Sequence, residues 1–256
     1  MPGRLRRSAI LLPALLVAAA ACFPAGTTEP PQAPLDQERQ QVVLVHGIWD
    51  TAAKFNKMSA VLAQAGFQTN AISLKPNDAS VPLETSADQL RAFIDQRLGP
   101  ELRFSIVAFS MGGLVARYYL QRMGGLARVT RLVTISTPNH GTWTANLDWL
   151  PGAVEMRPGS VFLQDLNSDV TRLSAIPVTT IWSPQDIGIE PASSSRLPVG
   201  ENVTIPGGMH SFMLTDDRVI GAVLAALSGD TGTARTVPRA ITARTVPRAS
   251  SRGVRQ

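Results

Sequence analysis

Val107-Ala108-Phe109-Ser110-Met111-Gly112-Gly113 sets a serine between small residues where the apolar run Phe104-Ser105-Ile106 gives way to a helical pattern starting at Leu114. A strand that turns sharply into a helix lifts such a hydroxyl out of the sheet on a strained backbone, the arrangement called a nucleophile elbow. Its usual spacing is G-x-S-x-G. Ala108 departs from that by one methyl group and keeps the steric logic, because the chain still passes close on both sides of Ser110. The reading predicts a strand over 104–108 and a helix over 112–123. In that helix Leu114, Val115, Tyr118, Tyr119 and Arg122 follow helical spacing, which makes the tyrosines packing residues.

Upstream, Gln41-Val42-Val43-Leu44-Val45 is a β-branched strand pattern ending in His46-Gly47-Ile48-Trp49. Acyl transfer places negative charge on the carbonyl oxygen in its tetrahedral state, so two fixed backbone N–H donors are needed where that charge appears. Met111, which follows the serine, and Ile48, which follows His-Gly, are the candidate donors for this oxyanion hole. Gly47 lets the backbone approach with no Cβ in the way. His46 sits beside the donor rather than opposite the serine, and reads as a hydrogen-bonded histidine that fixes the loop.

These residues resemble the α/β-hydrolase superfamily, and within it the small bacterial lipases and esterases that carry A-x-S-M-G-G. The similarity runs from about Gln41 to Leu227 and includes Val-Val-Leu-Val-His-Gly-Ile, Ala-Phe-Ser-Met-Gly-Gly-Leu-Val-Ala-Arg-Tyr-Tyr and Leu-Val-Thr-Ile-Ser-Thr-Pro-Asn-His-Gly-Thr. The resemblance implies an α/β fold with a mostly parallel central sheet and helices on both faces. It also implies a serine esterase or lipase with a Ser-Asp-His triad and no organic cofactor. Phe109 stands where a histidine is commoner and Trp49 where a small residue is frequent, so both are expected to crowd the substrate-binding pocket.

A hydroxyl needs a base to take its proton, and the base needs an acid behind it. In this architecture the chain order is serine, acid, histidine. Of the three histidines, His46 precedes the serine, and His140 lies in a turn directly after the strand Arg131–Ile135, with no later strand left to bring the acid; it reads as structural or as part of the pocket rim. His210, in the glycine-rich Pro206-Gly207-Gly208-Met209-His210, lies between the strand pattern Asn202–Ile205 and a terminal helix expected over Asp217–Leu227. It is the expected base. Asp186 follows the β-branched run Val178-Thr179-Thr180-Ile181 and is the favoured acid, since sites in parallel sheets gather at the strands' carboxyl ends. Asp165 and Asp169 compete but fall in a short helical pattern, and Asp216 and Asp217 suit the start of the last helix. Further elements are expected as a strand over Gln68–Leu74 and helices near Phe55–Ala65 and Thr85–Leu98.

With 256 residues and 44% apolar side chains the chain can bury one substantial core, assigned to a catalytic domain over 41–228. Arg4, Arg6 and Arg7 precede an apolar run from Ala9 to Ala21 that is too short to span a bilayer comfortably, so 1–22 reads as an export signal. Ala19-Ala20-Ala21-Cys22 resembles a bacterial lipoprotein cleavage site, with Cys22 the candidate for lipidation and hence for peripheral membrane association. Secretion after simple cleavage fits as well. The Pro-, Thr- and Gln-rich 23–40 reads as a flexible tether, and 229–256, which duplicates Thr-Ala-Arg-Thr-Val-Pro-Arg-Ala, as a disordered basic tail. That tail carries +5 from Asp230 onward and the first seven residues +3, which leaves −3 for the residues between in a chain of net charge +5. Basicity confined to the ends gives no argument for nucleic acid as a partner.

The histidines are scattered and show no metal-ligand spacing. Apolar residues between His140 and Val178, including Trp143, Leu147, Trp149, Val154, Met156 and Phe162, are candidates to border an acyl groove or form a small cap. The expected function is hydrolysis of carboxylic esters of lipid or acyl type, with thioester and amide substrates still open. The alternatives are an acyltransferase using the same triad and an envelope protein that keeps the scaffold for binding or folding assistance.

Overall fold

A computed structural model describes residues 40–229, all of which belong to one compact unit. The export signal 1–22 with Cys22, residues 23–39 of the tether and residues 230–256 of the basic tail fall outside the described residues. Six strands form one sheet in the order β2-β1-β3-β4-β5-β6: β1 Gln41–Val45, β2 Gln68–Ile72, β3 Phe104–Phe109, β4 Val129–Ile135, β5 Val178–Trp182 and β6 Glu201–Thr204. Every neighbouring pair is parallel. This is the α/β-hydrolase architecture in its parallel part, as the sequence predicts.

Strands covered on both faces are nearly continuous apolar runs, and β3 is buried at all six positions, with its one polar residue, Ser105, hydrogen-bonded to Thr130. Alternation along β1 divides the core. Val43 and Val45 face one side with Ile106 and Ala108, under α2 (Leu83–Leu98) and α3 (Met111–Arg122). Val42 and Leu44 face the other with Val107 and Phe109, under α1 (Asn56–Gln64) and the last helix, α6 (Asp217–Ser228). Between β4 and β5 lie two short helices, α4 (Pro151–Glu155) and α5 (Val161–Ser168). Asp216 caps α6 by accepting from Arg218 N–H, while Asp217 is exposed and pairs with Lys57.

Two boundaries differ from expectation for tertiary reasons. β2 stops at Ile72 instead of Leu74 because the Leu74 N–H leaves the sheet and donates to the imidazole of His46. α2 starts at Leu83 instead of Thr85: the Leu83 N–H, an orphan donor of the first turn, is met by the carboxylate of the distant Glu155 at 2.7 Å. Among the described residues no helix is long and apolar enough to cross a membrane.

Candidate active site

The strand order reverses about β1. The chain runs outward from β1 to β2 and then returns to the other side of β1 as β3, which opens a crevice at the carboxyl ends of β1 and β3. Gly47 and Ser110 emerge there, each two residues past the paired Val45 and Ala108. Ser110 has φ 52 and ψ −127, a region that costs a non-glycine residue about 1–3 kcal/mol. The surroundings hold it. Its N–H donates to Ile135 C=O at 2.9 Å and its C=O accepts from Gly113 N–H at 3.0 Å. A Cβ on Gly112 would lie 2.6 Å from the Val45 carbonyl oxygen, so only glycine lets the start of α3 press against the end of β1. A Cβ on Gly47 would lie 2.9 Å from Ser110 Cβ, which explains the close approach of the oxyanion loop to the serine.

Three side chains from separate loops meet. His210 Nε2 lies 3.0 Å from Ser110 Oγ, and His210 Nδ1 lies 3.0 Å from both oxygens of Asp186. A carboxylate facing Nδ1 keeps the proton on that nitrogen and leaves Nε2 free to accept from the hydroxyl. Asp186 is only 2% exposed. Burial opposes its charge, but the bond to His210, the imidazole's field, the nearby Ser136 hydroxyl and the Gly188 N–H outweigh that cost and hold the carboxyl below the ordinary aspartate range. Ser136 Oγ exerts this influence as a nearby dipole, since it makes no bond of normal geometry. The Asp186 Oδ1 also accepts from Gly188 N–H at 2.9 Å.

On the other side of the serine, Met111 is the first residue of α3, whose leading N–H groups have no partner within the helix. Ile48 follows Gly47 at the loop's nearest approach and lines the same cleft. His46, fully buried, accepts from Leu74 N–H through Nε2 at 2.9 Å and therefore donates from Nδ1 to Gly47 C=O at 2.7 Å. Burial lowers its pKa against the raising influence of the Gly47 carbonyl and of Asp50, so the ring is held neutral, and its two bonds give it the loop-fixing place read from the sequence. His140 is exposed and does not line the cleft, although Pro138 and Thr142 on either side of it do; its backbone N–H donates to Ser194 C=O.

The cleft above Ser110 has a volume of ≈ 470 Å³. Its floor is Ile48, Phe109 and Ile189, and its outer wall comes from the β4–β5 connection, through Ala145, Leu147, Ala153 and Met156. Trp49 lines the mouth and is 70% exposed, whereas Phe109 is buried and packs its ring 4.8 Å from that of His210. Within the region expected to border a groove the roles divide. Phe162 turns inward to stack on Tyr118 at 5.7 Å, while Trp143, Trp149 and Val161 are exposed. Asp165 points outward to Arg122 at 2.7 Å and has no place in the relay.

Sequence reading missed two supports of the site. Gly188 lies so close under His210 that a Cβ there would fall 2.7 Å from the ring's Cδ2. Arg117, fully buried in α3, donates to Gln121, Asn139, Leu166 and Asn167 and so ties α3 to the turn after β4 and to α5. Burial lowers its pKa to about 10, partly offset by Asp169, and it stays charged at neutral pH. Among the described residues no cluster of His, Cys, Asp and Glu is suited to a metal.

The family model described as palmitoyl protein thioesterase matches residues 41–175, just over half of the chain. The chain belongs to that family. The match takes in the oxyanion loop, the elbow and the outer wall of the cleft, and ends before Asp186 and His210. No curated protein sequence matches significantly. Among solved structures, the mature form of Bacillus licheniformis lipase BlEst2 aligns with TM-score 0.61 at 17% identity, over 73% of this chain and 91% of that one. Aspergillus fumigatus lipase B aligns with TM-score 0.62 at 19% identity, over 74% of this chain and 52% of that one, so the chain spans about half of the fungal enzyme. Est1E from Butyrivibrio proteoclasticus aligns with TM-score 0.52 at 16% identity, over 74% and 85%. At these identities the likeness establishes the shared fold.

Proposed function

We propose that this thioesterase- and lipase-like protein hydrolyses acyl esters, oxygen- or sulfur-linked, through an acyl-enzyme on Ser110. The supporting observation is the continuous relay from Asp186 through His210 to Ser110, with 3.0 Å between ring nitrogen and hydroxyl, at the base of an apolar cleft. His210 Nε2 takes the hydroxyl proton as Oγ bonds to the carbonyl carbon, and the Ile48 and Met111 N–H groups hold the oxyanion. The carbon–heteroatom bond then breaks, with the Nε2 proton passing to the departing alcohol or thiol. Water adds to the acyl-enzyme by the same path, returns a proton to the hydroxyl and releases the acid.

The apolar floor and wall support an acyl chain as the bound portion, with the leaving group toward Trp49 and solvent. Nitrophenyl esters and S-acyl thioesters of increasing chain length would resolve the preference, and Ser110→Ala should lower kcat by about 10⁴-fold or more. A fluorophosphonate should label Ser110. Failure to label, with no turnover of any ester, would favour the binding-scaffold alternative, and acyl transfer to an added alcohol in preference to water would favour the transferase. Export belongs to the proposal, with either a lipid on Cys22 or simple secretory cleavage, and the mass of the mature amino terminus tells the two apart.

A further inference from the structure

The oxyanion loop carries a strain that something must hold. Trp49 sits at φ 58, in the left-handed region that a bulky L-residue enters only at a cost of about 1–3 kcal/mol. The neighbouring peptide between Gly47 and Ile48 has its carbonyl pinned from one side, accepting from His46 Nδ1 at 2.7 Å and from Asp50 N–H at 3.3 Å. In a planar trans peptide the N–H points opposite to the C=O, so this pinning turns the Ile48 N–H toward the serine. The geometry persists only while residues 49 and 50 keep their turn.

A second loop, after β2, provides that hold. Leu74 N–H bonds the His46 ring, and Ser73 Oγ accepts from Ala52 N–H at 3.1 Å. Between these, Asn77 grips the turn at two points: its backbone C=O accepts from Trp49 N–H at 2.6 Å, and its Nδ2 donates to Asp50 C=O at 2.8 Å. Asn77 is half-buried and lies outside the cleft lining, so it touches no reacting atom. The two bonds bracket Trp49 and Asp50, the residues whose turn keeps the Gly47 carbonyl directed away from the cleft.

We propose that Asn77 is a positioning residue for the oxyanion hole: its carboxamide and carbonyl together keep Trp49 left-handed and the Ile48 N–H aimed at the developing oxyanion. This rests on the ester-hydrolase reading of Ser110. A donor misaimed rather than removed forfeits part of its full worth, so Asn77→Ala should lower kcat by about 10- to 100-fold with KM changed by no more than about twofold. Asn77→Asp keeps the volume but sets an acceptor against the Asp50 carbonyl, and should lose at least as much.

The discriminating readout is an alkyl trifluoromethyl ketone, which forms a tetrahedral adduct on the serine with its oxygen in the anion site. Its Ki should rise in step with the fall in kcat/KM across the Asn77 variants, an outcome that general loosening of the fold would not produce. Glycine adopts positive φ unaided, so in a Trp49→Gly background the loss caused by Asn77→Ala should shrink severalfold.

Equal loss in both backgrounds, or a fall in kcat with unchanged ketone affinity, overturns the proposal. Hydrolysis that depends on Ser110 but survives Asn77→Ala and Asn77→Asp overturns it while leaving the proposed function intact. Hydrolysis indifferent to Ser110→Ala overturns both.

Discussion

Gly188→Ala tests the base's position without changing the chemistry of Ser110, His210 or Asp186. A methyl at 188 would fall 2.7 Å from Cδ2 and 2.8 Å from Cβ of His210. Ordinary carbon contacts lie at about 3.5–4.0 Å, so the imidazole must retreat by roughly 1 Å. The ring has little room elsewhere, with Phe109 at 4.8 Å and the Asp186 carboxylate behind it. A retreat on that scale disturbs the 3.0 Å contact between Nε2 and Ser110 Oγ in length or in angle. Misplacement on that scale costs about 100-fold in rate. The assay is kcat for a nitrophenyl ester together with the thermal midpoint of the same protein. Gly66→Ala is the control: its φ of +90 makes the substitution strained, yet nothing lies within 4 Å of the new Cβ. It should cost about 1 kcal/mol of stability and leave kcat unchanged. If Gly188→Ala retains kcat within about threefold while folded, the claim that this glycine sets the imidazole's position is wrong.

Asp186→Asn should lower kcat by about 10³- to 10⁴-fold, because an amide can present N–H to the ring and reverse its tautomer; kcat near wild type would show that the Asp186 contact does not orient the base. Glu155 provides a pH test of stability. Burial, with the charge of Glu84 adding to it and the Leu83 N–H opposing it, raises its pKa from 4.5 to about 7. The folded protein therefore retains a proton that the unfolded chain has released, and stability falls as pH rises between those values. Because the carboxyl is only half-buried, the loss should be about 1–2 kcal/mol. Glu155→Gln should then raise the thermal midpoint at pH 8 and leave it unchanged at pH 4, and equal midpoints at both would refute the assignment.

What the sequence disclosed and what it hid follow from the range of the interactions involved. The β3–α3 junction was legible because an apolar run, a serine among small residues and a helical repeat are contiguous. His46 was readable from its place beside Gly47. The order of Asp186 and His210 came from the resemblance, and their convergence depends on β5 and β6 lying beyond β4 in the sheet. Gly188 gave no local signal, since its importance lies in a ring 22 residues further along the chain. Asn77 was hidden in the same way, as was the capping of α2 by Glu155 across 72 residues. Each of these is a contact between loops that come together only when the sheet has formed. The short helix α4 went unread because Pro151–Glu155 is a single turn, too brief to show periodicity.

Ser110 and His210 are separated by 100 positions, with β4, β5 and β6 all intervening. During synthesis the hydroxyl therefore leaves the ribosome well ahead of the imidazole that would activate it. A nascent or prematurely terminated chain ending near residue 175 would carry a complete elbow yet no means of ionising it. On the proposed mechanism turnover therefore requires the finished sheet, and an unfinished copy would be chemically silent toward acyl groups nearby.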